Sequence, residues 1–145
     1  MDGAARLRDL LEQAGLHADR VEEAVAASRV LLEQIRAIGS VTAAADLVAL
    51  LDAQSEVAVG AAMRAGRAAA ESVEMLDAVA DHELAPLVAR YGRERGDAGP
   101  WSAEAVRAAV HEDAATTSSR ARSGVDEQRR IVEEGRAHAV RGSRP

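Results

Sequence analysis

Residues 40–84, SVTAAADLVALLDAQSEVAVGAAMRAGRAAAESVEMLDAVADHEL, decide the fold. The stretch holds no proline and no turn cluster, and its apolar residues recur at three- and four-residue spacing, so it reads as one helix. Ser40 suits the N-cap, where its hydroxyl can accept from a free backbone N–H of the first turn. Gly60 and Gly66 each cost about 1 kcal/mol relative to alanine, which a helix of this length tolerates. Residues 41–84 would extend about 66 Å at 1.5 Å per residue. Pro86 is the first strong breaker, because it cannot donate to the carbonyl of His82. The expectation is therefore a helix over 41–95 with a kink near 85–86.

The middle of this helix, Ala58–Ala70 (AVGAAMRAGRAAA), contains no leucine. A helix packed there can approach closely, which marks Gly60, Ala62, Ala65 and Ala69, continued by Leu76 and Val79, as the expected interface. Membrane helix pairs use small residues similarly, but Arg64 and Arg67 within the run argue against lipid.

Working outward, Leu7, Leu10 and Leu11 give residues 4–14 an apolar side, and Gly15 is placed to end that helix. Asp19 with Glu22 forms a capping-box pattern for a second helix over 19–38, whose Val21, Val25, Ser28, Leu32, Ile35 and Ile38 share a face. Gly39 stops it. After the Gly-Asp-Ala-Gly-Pro turn and Trp101, Ser102 caps a fourth helix over 102–140. Val106, Val110, Ala114, Thr117, Ala121 and Val125 lie along one of its sides, and residues 141–145 are left as a flexible tail. Trp101 is placed to plug the start of this helix. No segment alternates with the two-residue period of a strand. The predicted fold is all-α: an elongated antiparallel helical bundle of about four helices in a single domain, with one very long central helix and packing of coiled-coil character.

Composition sharpens this picture. The chain has 145 residues, of which 48% are hydrophobic, yet 34 are alanine. An alanine methyl removes only about 0.8 kcal/mol worth of apolar surface from water, against about 1.5–3 kcal/mol for leucine or valine, so the core must be thin. All 18 basic residues are arginine, cysteine is absent, and the net charge is −6. The lack of cysteine excludes disulfides and thiolate chemistry. Neither a basic, apolar leader nor a run of roughly 18 apolar residues occurs, which points to a cytoplasmic protein without a membrane span.

Candidate chemistry is sparse. Ala80–Leu87, ADHELAPL, resembles the phosphoacceptor box of histidine kinases at His82, Glu83 and Leu84, although Pro86 comes one residue early. That resemblance implies a phosphotransfer or dimerisation domain with His82 as phosphoacceptor. Counting 100° per residue places His82 nearly opposite Ala80 and Leu84, towards solvent. Glu74, Asp77 and Asp81 with His111-Glu112-Asp113 could approach one another, but none of the histidines (17, 82, 111, 138) has glutamate three residues before it, as di-iron bundles require. No serine-nucleophile motif and no phosphate-binding loop occurs. Residues 39–47, GSVTAAADL, are similar to the first helix of LysR-type DNA-binding proteins, which implies a helical DNA-binding regulator. The acidic, aromatic-poor composition opposes nucleic acid as a partner. The alanine-rich helices also resemble the helical hairpin proteins of type VII secretion, although Trp101 follows Gly-Pro instead of preceding x-Gly. The reading favoured by the residues is a non-enzymatic helical interaction or scaffold module, with no catalytic, metal or cofactor residues. Its partner is itself, as a homodimer, or another helical protein. The dimer is expected because a second helix of about 30 Å would cover less than half of the third.

Overall fold

A computed structural model describes residues 3–95 and 102–142. Four α-helices follow in order: α1 (Gly3–Ala37), α2 (Val41–Leu76), α3 (Ala85–Arg95) and α4 (Ala103–Gly142), with a single 3₁₀ turn over Asp81–Leu84 before α3. No strand occurs among the described residues. At 1.5 Å per residue, α1, α2 and α4 extend about 52, 54 and 60 Å. They pack side by side as an all-helical bundle. Leu7 and Leu11 of α1 meet Leu76 of α2 and Val106 and Val110 of α4 at one end. At the other end Leu32 and Ile35 of α1 meet Leu51 of α2 and Ile131 and Val132 of α4. Hence α2 runs antiparallel to both neighbours, while α1 and α4 are parallel.

The core has large side chains at its ends and alanine between them. Ala18, Ala24, Ala58, Ala61, Ala65 and Ala121 form the middle layers, so the backbones come together where the side chains are smallest. Two close approaches depend on glycine in α4. A Cβ on Gly124 would sit 2.4 Å from Val21 Cγ1, and one on Gly135 would sit 2.6 Å from Leu51 Cδ1.

The ends of the elements follow from local chemistry. Ser40 Oγ accepts from the Ala43 N–H and Ser102 Oγ from the Ala105 N–H, so both predicted caps are formed. The α2 C-terminus is held by Arg107, whose guanidinium donates to the Leu76 and Val79 carbonyls at 2.6 Å each and to Asp81 at 2.8 Å. That fork satisfies carbonyls a helix end would otherwise leave unpaired.

Three expectations need correction. The separate helices over 4–14 and 19–38 are one helix, because the buried positions Ala4, Leu7, Leu11, Ala14, Ala18, Val21, Val25, Ser28, Leu32 and Ile35 continue through Gly15 without a change of spacing. One glycine costs about 1 kcal/mol, less than the burial gained on either side of it. Asp19 and Glu22 start no helix. Arg120 of α4 donates to them at 2.8 and 2.9 Å. The third helix does not run to 95 with a kink near 85–86: α2 ends at Leu76, and Pro86 lies in the first turn of α3, where its missing N–H has no intrahelical partner to lose. Since α1 lies along α2 and matches it in length, the premise that a short second helix leaves α2 uncovered also falls. The fourth helix runs on to Gly142, past the expected end at 140, and Trp101 and residues 143–145 lie outside the described residues.

Candidate functional site

The α1–α2 hairpin has two sides, and α4 closes one of them. Along that side Glu22, Arg29 and Arg36 of α1 meet Arg120, Glu127 and Glu134 of α4, each partner 98 positions along the chain. Both sets step by seven residues, so the charges form a register between parallel helices. A groove of about 850 Å³ runs beside them, lined by Thr116, Ser119 and Ser123. Its arginines are already engaged: Arg120 by Asp19 and Glu22, Arg29 by Glu127, and Arg130 by Glu127 at 2.5 Å.

The other side of the hairpin is open, and no residue of α4 lines its two depressions. One is lined by Gln34, Ala37 and Ile38 of α1 with Ala43, Asp46 and Leu47 of α2. The second, of about 190 Å³, is lined by Arg6, Leu10, Gln13 and His17 of α1 with Arg64, Arg67, Ala68 and Glu71 of α2. A single antiparallel register links them. Leu10 lies opposite Glu71, His17 opposite Arg64 and Ile38 opposite Ala43. Steps of seven residues between these layers place Ala24 opposite Val57 and Leu31 opposite Leu50. The open side is therefore basic at one end and, at the other, mainly aliphatic, with Asp46 and Gln34 beside the apolar residues. Leu50 and Val57 are 52% and 49% exposed, far more than the leucines and valines of the core.

Electrostatics separates the two grooves. Among the described residues, Arg6, Arg20, Arg64 and Arg67 have no carboxylate within salt-bridge distance, and apart from Arg8 and Arg122 every other arginine with a described side chain has one. His17 sits among these cations. Burial, together with Arg20 and Arg64, holds its pKa below the ordinary 6.5, and its buried Nδ1 finds no hydrogen-bond partner. Within the lining, Glu71 is the carboxylate. Asp9 is tied to the neighbouring Gln13, which donates to it at 3.1 Å.

The residues expected as an interface lie elsewhere. Ala65, Ala69, Leu76 and Val79 are buried inside this chain, while Gly60 and Ala62 are half-buried. The seam is thus occupied by the chain's own helices. His82 is exposed on the 3₁₀ turn instead of on a long helix face. Its neighbours serve the fold: Asp81 binds Arg107, and Glu83 accepts from the Ala80 N–H at 3.3 Å. The acidic residues near His111 do not assemble into a ligand set. Asp113 accepts from the Tyr91 hydroxyl at 2.9 Å and lies 3.6 Å from Arg90. Burial, and secondarily Asp113, push the Tyr91 phenol well above its ordinary range. Among the described residues no cluster of three or more His, Asp or Glu could hold a metal ion, and no helix is long and apolar enough to cross a membrane.

The open side of the hairpin escapes a reading of the sequence in which Arg64 and Arg67 count only against lipid. The available signal was the seven-residue stripe Leu50, Val57, Arg64, Glu71, in which exposed aliphatic residues give way to charge. Among the described residues, the fold defines an all-helical bundle whose α1–α2 hairpin carries a basic depression at one end of its open side and an aliphatic one at the other. No protein-family model, curated protein or solved structure matches the chain.

Proposed function

We propose that the chain is a non-enzymatic helical interaction module that binds through helix–helix packing, with a second copy or another helical protein as its partner. The observation that carries this reading is the open side of the α1–α2 hairpin, where Ala37, Ile38, Ala43 and Leu47 line a depression at one end and Leu50 and Val57 stand half exposed further along the same stripe of α2. Scattered exposed aliphatic side chains are ordinary on protein surfaces, but a contiguous strip rimmed by charge is a common feature of binding surfaces. The exposed aliphatics elsewhere, such as Leu16 on the far side of α1 and Val140 near the end of α4, stand apart from this strip. A groove between two long antiparallel helices is shaped for a further helix, which would complete a four-helix cross-section. Site-specific photocrosslinking in the native cell tests the proposal. A crosslinker at Leu50 or Val57 should give a discrete adduct with a second polypeptide, and one at Leu16 or Val140 should give none. Equal labelling from all four positions, or none from any, would contradict it.

A further inference from the structure

The groove's graded chemistry also bears on the partner's identity, an inference that rests on the interaction-module reading. We infer that the occupant is an amphipathic helix of a different protein, aliphatic along one half of its docking face and acidic along the other. A helix lying in the groove would meet Leu31 and Leu50 at one end. At the other it would meet His17 and, beside it, Arg64 and Arg67, whose guanidinium groups need carboxylates to avoid burying unpaired charge. Arg6 and Arg20 add to the same end, so the local positive charge exceeds what Glu71 and Asp9 supply, in a chain whose net charge is −6.

A second copy fits poorly. A two-fold contact through this face needs an axis in the plane of the interface, either along the helices or across them. The first sets the His17/Arg64 layer against the same layer of the other copy. The second sets it against the Leu31/Leu50 layer. In either, the carboxylates of the lining, Glu71 at the basic end and Asp46 at the other, are outnumbered by Arg6, Arg64 and Arg67, so guanidinium groups lose water without a full set of partners. A single-stranded nucleic acid would satisfy the arginines, but it would leave Leu50 and Val57 uncovered, and no described aromatic side chain lines the groove for base stacking.

The test uses the full chain and fluorescently labelled synthetic helical peptides, with binding read by fluorescence anisotropy. The groove runs about 42 Å from the Ile38 layer to the Leu10 layer, so a peptide of about 28 residues spans it. The first peptide carries leucine on its face in one half and glutamate on the same face in the other; a second replaces those glutamates with glutamine. The glutamate peptide should bind at least about tenfold more tightly, and Arg64→Glu with Arg67→Glu should abolish that difference. Both arginines are solvent-exposed, so the double variant should fold, which its circular dichroism verifies. Arg122→Glu on the outer face of α4 is the control and should leave binding unchanged. Equal affinity for the two peptides, with both lost on Leu50→Glu, would overturn the acidic-helix inference and leave the interaction module standing. An oligothymidylate binding as tightly as the glutamate peptide would overturn the inference, as would failure of the glutamate peptide to bind. If, in addition, the photocrosslinks at Leu50 and Val57 are absent, the module reading fails as well.

Discussion

Replacing Gly124 by alanine should destabilise the protein, although the same change at Gly66 should stabilise it. Both glycines lie inside long helices, where alanine is favoured by about 1 kcal/mol through helix propensity alone. At Gly66 the new Cβ meets no atom within 4 Å, so the full gain is expected. At Gly124 it would fall 2.4 Å from Val21 Cγ1 and 3.5 Å from Val21 Cβ. Val21 is fully buried and β-branched, and in a helix such a side chain has essentially one rotamer, so it cannot swing aside. The backbones must part instead, at about 1–3 kcal/mol for overpacking. The net expectation is a loss of about 0–2 kcal/mol at Gly124, and a difference of about 1–3 kcal/mol between the two variants. Urea unfolding followed by helical circular dichroism measures both, with an unchanged slope showing that the change lies in stability. If Gly124→Ala is as stabilising as Gly66→Ala, α4 does not lie against Val21 and the packing described for α1 and α4 is wrong.

Other outcomes follow from the same core and groove. Ala65 is fully buried among alanines, so Ala65→Leu should cost about 1–3 kcal/mol in urea unfolding, whereas Arg64→Ala at the neighbouring exposed position should stay within about 0.5 kcal/mol. Ser28 is buried with its hydroxyl unpaired, and Ser28→Ala should therefore raise stability by about 1 kcal/mol in the same measurement. His17 has a lowered pKa when folded, so the unfolded chain binds more protons at its ordinary value of 6.5. Stability should then fall as pH drops through 6.5 and level off below the folded pKa. His17→Gln should flatten that part of the profile, and identical wild-type and variant profiles would refute the assignment.

The helical class was legible because alanine-rich, leucine-spaced segments leave few alternatives, and Ser40 and Ser102 cap where their hydroxyls suggest. The boundaries were less so. Gly15 looks like a stop only when read alone; the buried spacing from Leu11 through Ala14 and Ala18 to Val21 carries the helix across it. Local capping chemistry misled in the same way at Asp19 and Glu22, whose partner Arg120 is about a hundred residues away and invisible to a short window. The small residues of α2 do mark close packing, but that packing is against the chain's own helices. The glycines that allow the closest approaches are Gly124 and Gly135 of α4, not Gly60 or Gly66. Which face stays open depends on how three helices are arranged, and periodicity within any one helix does not contain that information.

If the open side of the α1–α2 hairpin takes a helix of a different protein, the chain on its own stays monomeric. Light scattering of the purified chain over a range of micromolar concentrations tests it most directly. The expected result is a mass of 15.2 kDa throughout, with one cooperative thermal transition. A stable dimer that Leu50→Glu disperses would contradict it, because the groove would then be filled by a second copy.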